Sequence, residues 1–177
     1  QQVLSELFAS LSILLDKPFQ VGEFIIVGDM LGVVENIGLK TTRIRSLSGE
    51  LLIFSNADLL SSRIRNYKTM QERRVVFTIG VEYNTPYQKL KKIPEIIRNA
   101  VETTEATRFD RCHFASYGDF SLNFETVYYV LSGDYNQYMD IQQKINLQIY
   151  EAFEQENIVF AFPTRTIHLK QAEEAGS

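Results

Sequence analysis

Apolar residues near the start of the chain recur at spacings of three and four: Leu4, Leu7, Phe8, Leu11, Leu14 and Leu15. Ser5, Glu6, Ser10 and Ser12 fall mostly on the opposite face. This spacing predicts an amphipathic helix from Val3 to Leu15, stopped at Asp16-Lys17-Pro18 because a proline drives its predecessor out of helical geometry. The pattern begins without a cap or a leading Met. It reads either as a helix docked on its own domain or as the tail of a membrane helix that continues upstream.

From Pro18 to about Met70 the pattern changes to short runs rich in β-branched residues. These are Phe24–Val27, Gly32–Ile37, Thr41–Arg45, Leu51–Phe54 and Arg63–Tyr67, separated by turn signals at Gly28-Asp29, Gly38 and Ser48-Gly49. Five short strands about ten residues apart predict a small barrel or strongly bent sheet. Such a sheet buries little by itself and gains from neighbouring subunits.

Beyond a polar linker at residues 68–74 the pattern alternates. Val75, Phe77, Ile79 and Val81 mark one strand face. A helix follows, opened by Asn84-Thr85-Pro86, with Leu90, Ile93, Ile97 and Val101 as its stripe and a kink or break expected at Pro94. Strands near Cys112–Tyr117 and Ser121–Val130 join at Gly118-Asp119. A long helix runs from Tyr135 to Gln155, and a last strand is expected at Thr164–Leu169. The order βαββαβ is that of a ferredoxin-like domain. The predicted class is therefore α+β: helix 1–17, small β domain 18–70, ferredoxin-like domain 71–170 and a tail 171–177.

Charge sharpens this division. The formal net charge is −4, with residues 1–74 close to neutral and the acidic excess lying after residue 74. That distribution disfavours a protein that wraps nucleic acid. The single cysteine, Cys112, forms no internal bridge, which suits a reducing interior. No apolar run reaches the ~18–20 residues of a membrane span.

Candidate chemistry is sparse. His113 and His168 have no short metal-ligand spacing with each other or with Cys112, and both fall in predicted strands. Adjacent strand residues point to opposite faces, so Cys112 and His113 cannot share a proton there. Gly28-x-x-x-Gly32 lacks the Lys-Ser/Thr sequel of a phosphate loop, and Asp119 and Glu125 have no nucleophile to serve. No catalytic, cofactor or metal site is expected. Arg43 with Arg45, and Arg63 with Arg65, alternate along strands and share faces. These read as a solvated basic surface, a surface for anionic lipid, the lining of an ion path, or an RNA surface. No exposed aromatics interleave with them, as single-stranded RNA would require.

The stretch from Leu11 to Glu23, with Pro18-Phe19 followed by Gly22-Glu23, resembles the membrane-to-barrel junction of the small-conductance mechanosensitive channel family. Further landmarks follow in the family's order: Gly32-Val33-Val34, Thr41-Thr42-Arg43, Ser55-Asn56, Phe77 to Tyr83, Ser121-Leu122-Asn123-Phe124 and Phe160-x-Phe162-Pro163. Ser55 departs from the family's usual proline. The resemblance spans residues 3–170.

It implies an Sm-like β domain beneath a membrane and an α/β domain enclosing a vestibule, in a homo-oligomer that is heptameric in the family. It also implies a subunit of a tension-gated channel of the cell's inner membrane. This fragment would lie on the cytoplasmic side, and ions and small osmolytes would pass during hypo-osmotic release. Lipid would be met through upstream helices. The residues implied are Pro18, Phe19, Gly22 and Glu23 at the helix–barrel junction, and Leu4, Leu7, Phe8 and Leu11 as the helix packing face. Lys17, Arg43, Arg45, Arg63 and Arg65 are candidate ion-path or lipid-facing bases. The rival reading is a soluble Sm-like and ferredoxin-like module that binds RNA or a ligand.

Overall fold

Alternation of apolar and polar residues builds two sheets here, each closed on one side by helices. The computed structural model describes residues 1–68 and 70–170, so Thr69 of the linker and the tail expected at 171–177 lie outside the described residues. The described residues divide into two compact units, residues 1–73 with 131–138, and residues 74–130 with 139–170.

The first unit opens with α1 (Gln2–Asp16) and continues through β1 (Phe24–Val27), β2 (Met30–Ile37), β3 (Thr41–Ser46) and β4 (Leu51–Ser55). A short helix, α2 (Asn56–Ser61), leads to β5 (Ile64–Asn66). The strands form one antiparallel sheet in the order β4-β3-β2-β1-β5, with an irregularity between Val34 and Asn36 that bends β2. Inward residues of successive strands, Ile25, Val27, Val34 and Ile44, meet Ile13 of α1, Phe19 of the junction and Leu59 of α2 in one cluster. Thus the helix and the turn after it supply part of the sheet's core.

Helix α2 is not among the elements that the apolar pattern predicts. Its signal was present. The Ser55 hydroxyl accepts the Asp58 N–H at 3.3 Å, an N-cap that proline could not provide, and Asp58 places a negative charge in the first turn.

The second unit carries all but the first residue of β6 (Arg73–Val81), α3 (Tyr87–Glu102), β7 (Thr107–Tyr117), β8 (Leu122–Val130) and most of α4 (Tyr135–Gln155). Its sheet runs β6-β8-β7. Ile93, Ile97 and Val101 of α3, and Ile141, Ile145, Ile149 and Phe153 of α4, are buried, as are Phe124 and Tyr128 of β8.

Two expectations are corrected. Of the kink or break expected at Pro94, the break does not occur: helix α3 continues through the proline, because the stripe Ile93, Ile97, Ala100 and Val101 stays buried on both sides of it and outweighs one lost backbone bond. The closing strand at Thr164–Leu169 does not form. Pairing with β6 is confined to a Val81–Phe160 bridge and a 2.9 Å bond from the Ala161 N–H to the Gly80 carbonyl. Pro163 then offers no N–H to extend the ladder, and Ile167 and Leu169 stand exposed. His168 accordingly lies outside any strand.

Cys112 is buried on β7, its Sγ accepting the Thr126 hydroxyl at 3.3 Å. Burial raises its thiol above the ordinary cysteine range, and the Thr126 bond offsets only part of that rise. At pH 8 the native thiol should react with a disulfide reagent far more slowly than in the urea-unfolded chain. Equal rates would place Cys112 at the surface.

Candidate helix–barrel junction

Where α1 ends, the backbone turns sharply. Lys17 adopts a left-handed conformation (φ 49°, ψ 53°) as its N–H bonds back to the Ile13 carbonyl at 3.1 Å, capping the helix. Pro18 prevents continuation, and Phe19 drops into the core with 1% of its surface exposed. Gly22 takes φ +89°, and its N–H reaches the Val34 carbonyl at 2.7 Å. The Glu23 carboxylate accepts both the Gln20 N–H at 2.9 Å and the Asn66 amide at 2.6 Å. That same amide nitrogen also reaches the Pro18 carbonyl at 3.1 Å. Pro18, Phe19, Gly22 and Glu23 are therefore one structure, closed by an Asn66 that the sequence reading had placed in a strand without a role.

A second fastening lies nearer the start of α1. The Asn56 side chain accepts the Thr42 hydroxyl at 2.7 Å in a buried pair and donates to the Gly38 carbonyl at 2.8 Å. Ser10, buried on α1, donates to the same carbonyl at 3.3 Å. Thr42 and Asn56, noticed in the sequence only as separate landmarks, meet here. Their 14-residue separation hid the pairing, which depends on the β3–β4 register of Thr42 opposite Phe54. At the surface Lys40 lies 3.4 Å from Glu6, a weak exposed pair.

The face of α1 that packs on the first unit is made by Ala9, Ser10 and Ile13. Leu4, Leu7, Phe8 and Leu11, expected as the packing face, are instead exposed by 46–65%, and Leu14 and Leu15 likewise. The larger apolar side chains point away because small residues let the helix lie close enough for Ser10 to reach Gly38.

The basic candidates are not gathered. Arg43 and Arg45 lie on β3 and Arg63 and Arg65 flank or occupy β5, with β2 and β1 between them in the sheet. Arg45 is held by Glu35 at 2.7 and 3.1 Å and by the Gly49 carbonyl at 2.9 Å. The Arg45 hydrogen bond keeps the Glu35 carboxyl below the usual carboxylate range. Lys17 is exposed and acts through its backbone. Among the described residues no group of three or more His, Cys, Asp or Glu could hold a metal. No helix among them is long and apolar enough to cross a membrane.

A helix fastened to a bent five-stranded sheet, followed by an α/β unit, is the architecture of mechanosensitive channels. Residues 2–69 match the β-domain of the mechanosensitive ion channel family, and residues 75–160 match the C-terminal domain of its MscS members. The chain belongs to this family. It is 42% identical over 172 residues to the small-conductance mechanosensitive channel MscMJ of Methanocaldococcus jannaschii, covering 97% of this chain and 49% of that protein. It is 38% identical to the large-conductance channel MscMJLR of the same organism, again covering 97% of this chain and 49% of that protein. The chain thus spans about half the length of these relatives.

Among solved structures, Arabidopsis thaliana MSL1 superposes with a TM-score of 0.80 at 16% identity, covering 91% of this chain and 59% of that one. Closed-state Helicobacter pylori MscS gives 0.75 at 22% identity, covering 96% and 66%. Both likenesses concern the fold.

Two outcomes follow from the junction. Asn56→Ala leaves the Thr42 hydroxyl without its buried acceptor, and should lower unfolding free energy by about 1–3 kcal/mol in urea titration. A Cβ at position 22 meets no neighbour within 4 Å, so the cost of Gly22→Val lies chiefly in the positive φ, of order 1–3 kcal/mol. Gly22→Ala should cost less than Val at the same position, and equal melting temperatures for all three chains would deny strain at this turn.

Proposed function

We propose that this chain is the cytoplasmic part of a subunit of a tension-gated mechanosensitive channel. In this reading the subunit sits in the cell's inner membrane through helices upstream of α1, and copies assemble into a homo-heptamer. The first unit forms a ring beneath the membrane, and the second encloses a vestibule crossed by ions and small osmolytes during hypo-osmotic release. The observation that carries it is the exposed leucine and phenylalanine face of a helix whose other face is fastened to the sheet. Water disfavours such a stripe, whereas a neighbouring subunit or the edge of a bilayer would cover it. Relatives named as mechanosensitive channels, alike over nearly the whole of this chain, support the same reading.

Gating follows from the fastening. Tension that tilts the upstream helix would be delivered to α1, and through Lys17–Glu23 to the sheet. Pro18, Phe19, Gly22 and Glu23 then set the angle of that lever, and Leu4, Leu7, Phe8 and Leu11 its contact with neighbours. Arg63 and Arg65, which the fold leaves exposed, would face anionic lipid or the ion path. The fold performs no catalysis in this reading, needs no cofactor and binds no nucleic acid. The RNA-binding alternative is weaker because the arginines are dispersed and Arg45 is engaged by Glu35.

The test is patch recording of the complete subunit in liposomes. Glu23→Gln, which weakens the grip on Asn66, and Leu7→Ser with Leu11→Ser, which removes the apolar contact, should each shift the tension threshold. Unchanged thresholds in both, with normal expression, would separate this helix from gating. Sedimentation of the 177-residue chain at high concentration should show ring-sized species, and a strict monomer would count against the assembly.

A further inference from the structure

A half-open pocket of about 770 Å³ lies within the first unit. Phe24, Leu31, Leu47 and Tyr67 give it carbon walls, and Lys68 and Arg73 supply its positive charge. Its far wall is the segment before α4, where a Cβ added to Gly133 would lie 2.3 Å from the Met70 carbonyl oxygen. That segment is therefore pressed against the linker.

Arg73 is unusually placed. Its guanidinium carbon lies 5.9, 5.5 and 5.1 Å from the ring centres of Tyr67, Tyr135 and Tyr138. Three aromatic rings thus surround the cation, and none of them offers it a carboxylate. Its Nε is buried and has no acceptor among the described residues. A buried cationic donor with no acceptor is unfavourable, and a planar guanidinium is shaped to receive a carboxylate or phosphate. The nearby Asp134 carboxylate already caps α4, accepting the Gln137 N–H at 2.8 Å.

We propose that this pocket binds a single-chain anionic amphiphile, with its acyl chain along Phe24, Leu31 and Leu47 and its anionic head on Arg73 and Lys68. The volume suits a small ligand. The walls carry too few polar groups to read a nucleobase or a peptide backbone, and the one fixed charge calls for an anion at one end of an apolar body. The site is independent of the channel reading, although Gly22 lines it and would place the ligand beside the helix–barrel junction.

The experiment is calorimetric titration of the 177-residue chain with laurate below its micelle concentration. One saturable site per chain is expected, with decanoate roughly tenfold weaker for the loss of two methylenes. Dodecyltrimethylammonium, of equal chain length and opposite charge, should not bind, nor should inorganic phosphate alone. Arg73→Gln should weaken laurate at least tenfold. Leu47→Glu, at a position 76% exposed where folding is undisturbed, should abolish it by placing a like charge on the tail's wall. Laurate binding unaffected by Leu47→Glu, equal binding of the cationic amphiphile, phosphate binding as tight as laurate, or no laurate binding at all would each overturn the proposal. These readings stand even where Arg73→Gln fails to fold.

Discussion

The burial of Ile13 and Phe19 in the core of the five-stranded sheet is the constraint on which the first unit depends. That core has seven buried apolar residues, and two of them come from the helix and the turn after it. A sheet of such short strands cannot spare them. Deleting a buried side chain of this size typically costs about 2–5 kcal/mol, a large part of a small domain's stability. Helix and sheet are consequently one folding unit, and the polar contacts at Gly38, Asn56 and Asn66 refine an attachment that packing has already made.

Regular elements were legible wherever one periodicity ran unbroken. β1 and α4 lie where the apolar pattern put them, and β2, β3 and β4 differ from it by a residue or two at their ends. What escaped was set by single side chains or by distant partners. α2 is one and a half turns long, too short for a stripe, and only the Ser55 cap announces it. Pro94 carries a local cost, but the buried stripe spanning it decides the outcome. Thr164–Leu169 has strand-like composition but no N–H at Pro163 with which to continue beside β6, and composition carries no information about a missing partner.

The junction was legible in part. Pro18 is legible as a helix stop, whereas Phe19, Gly22 and Glu23 are marked by the family resemblance and not by their spacing. Asn66 is marked by neither, since its partner lies 43 residues away and an asparagine at a strand end has many uses. The helix stripe is legible as amphipathic, but its spacing leaves open what it packs against. Hydrophobicity identifies the face that avoids water, and close approach by Ala9 and Ser10 determined which face meets the sheet.

The Gly38 carbonyl receives both Ser10 and Asn56, and it belongs to the main chain. Every residue type would present that oxygen, so no exchange at position 38 can delete the acceptor itself. Genetic variation reaches this anchorage only through its donors, and the two are unequal: a hydroxyl at 3.3 Å and an amide at 2.8 Å that also holds Thr42. The strength with which the helix is moored can therefore be tuned in small steps at Ser10 while Asn56 keeps the sheet intact, so adjustment and integrity are inherited at separate positions.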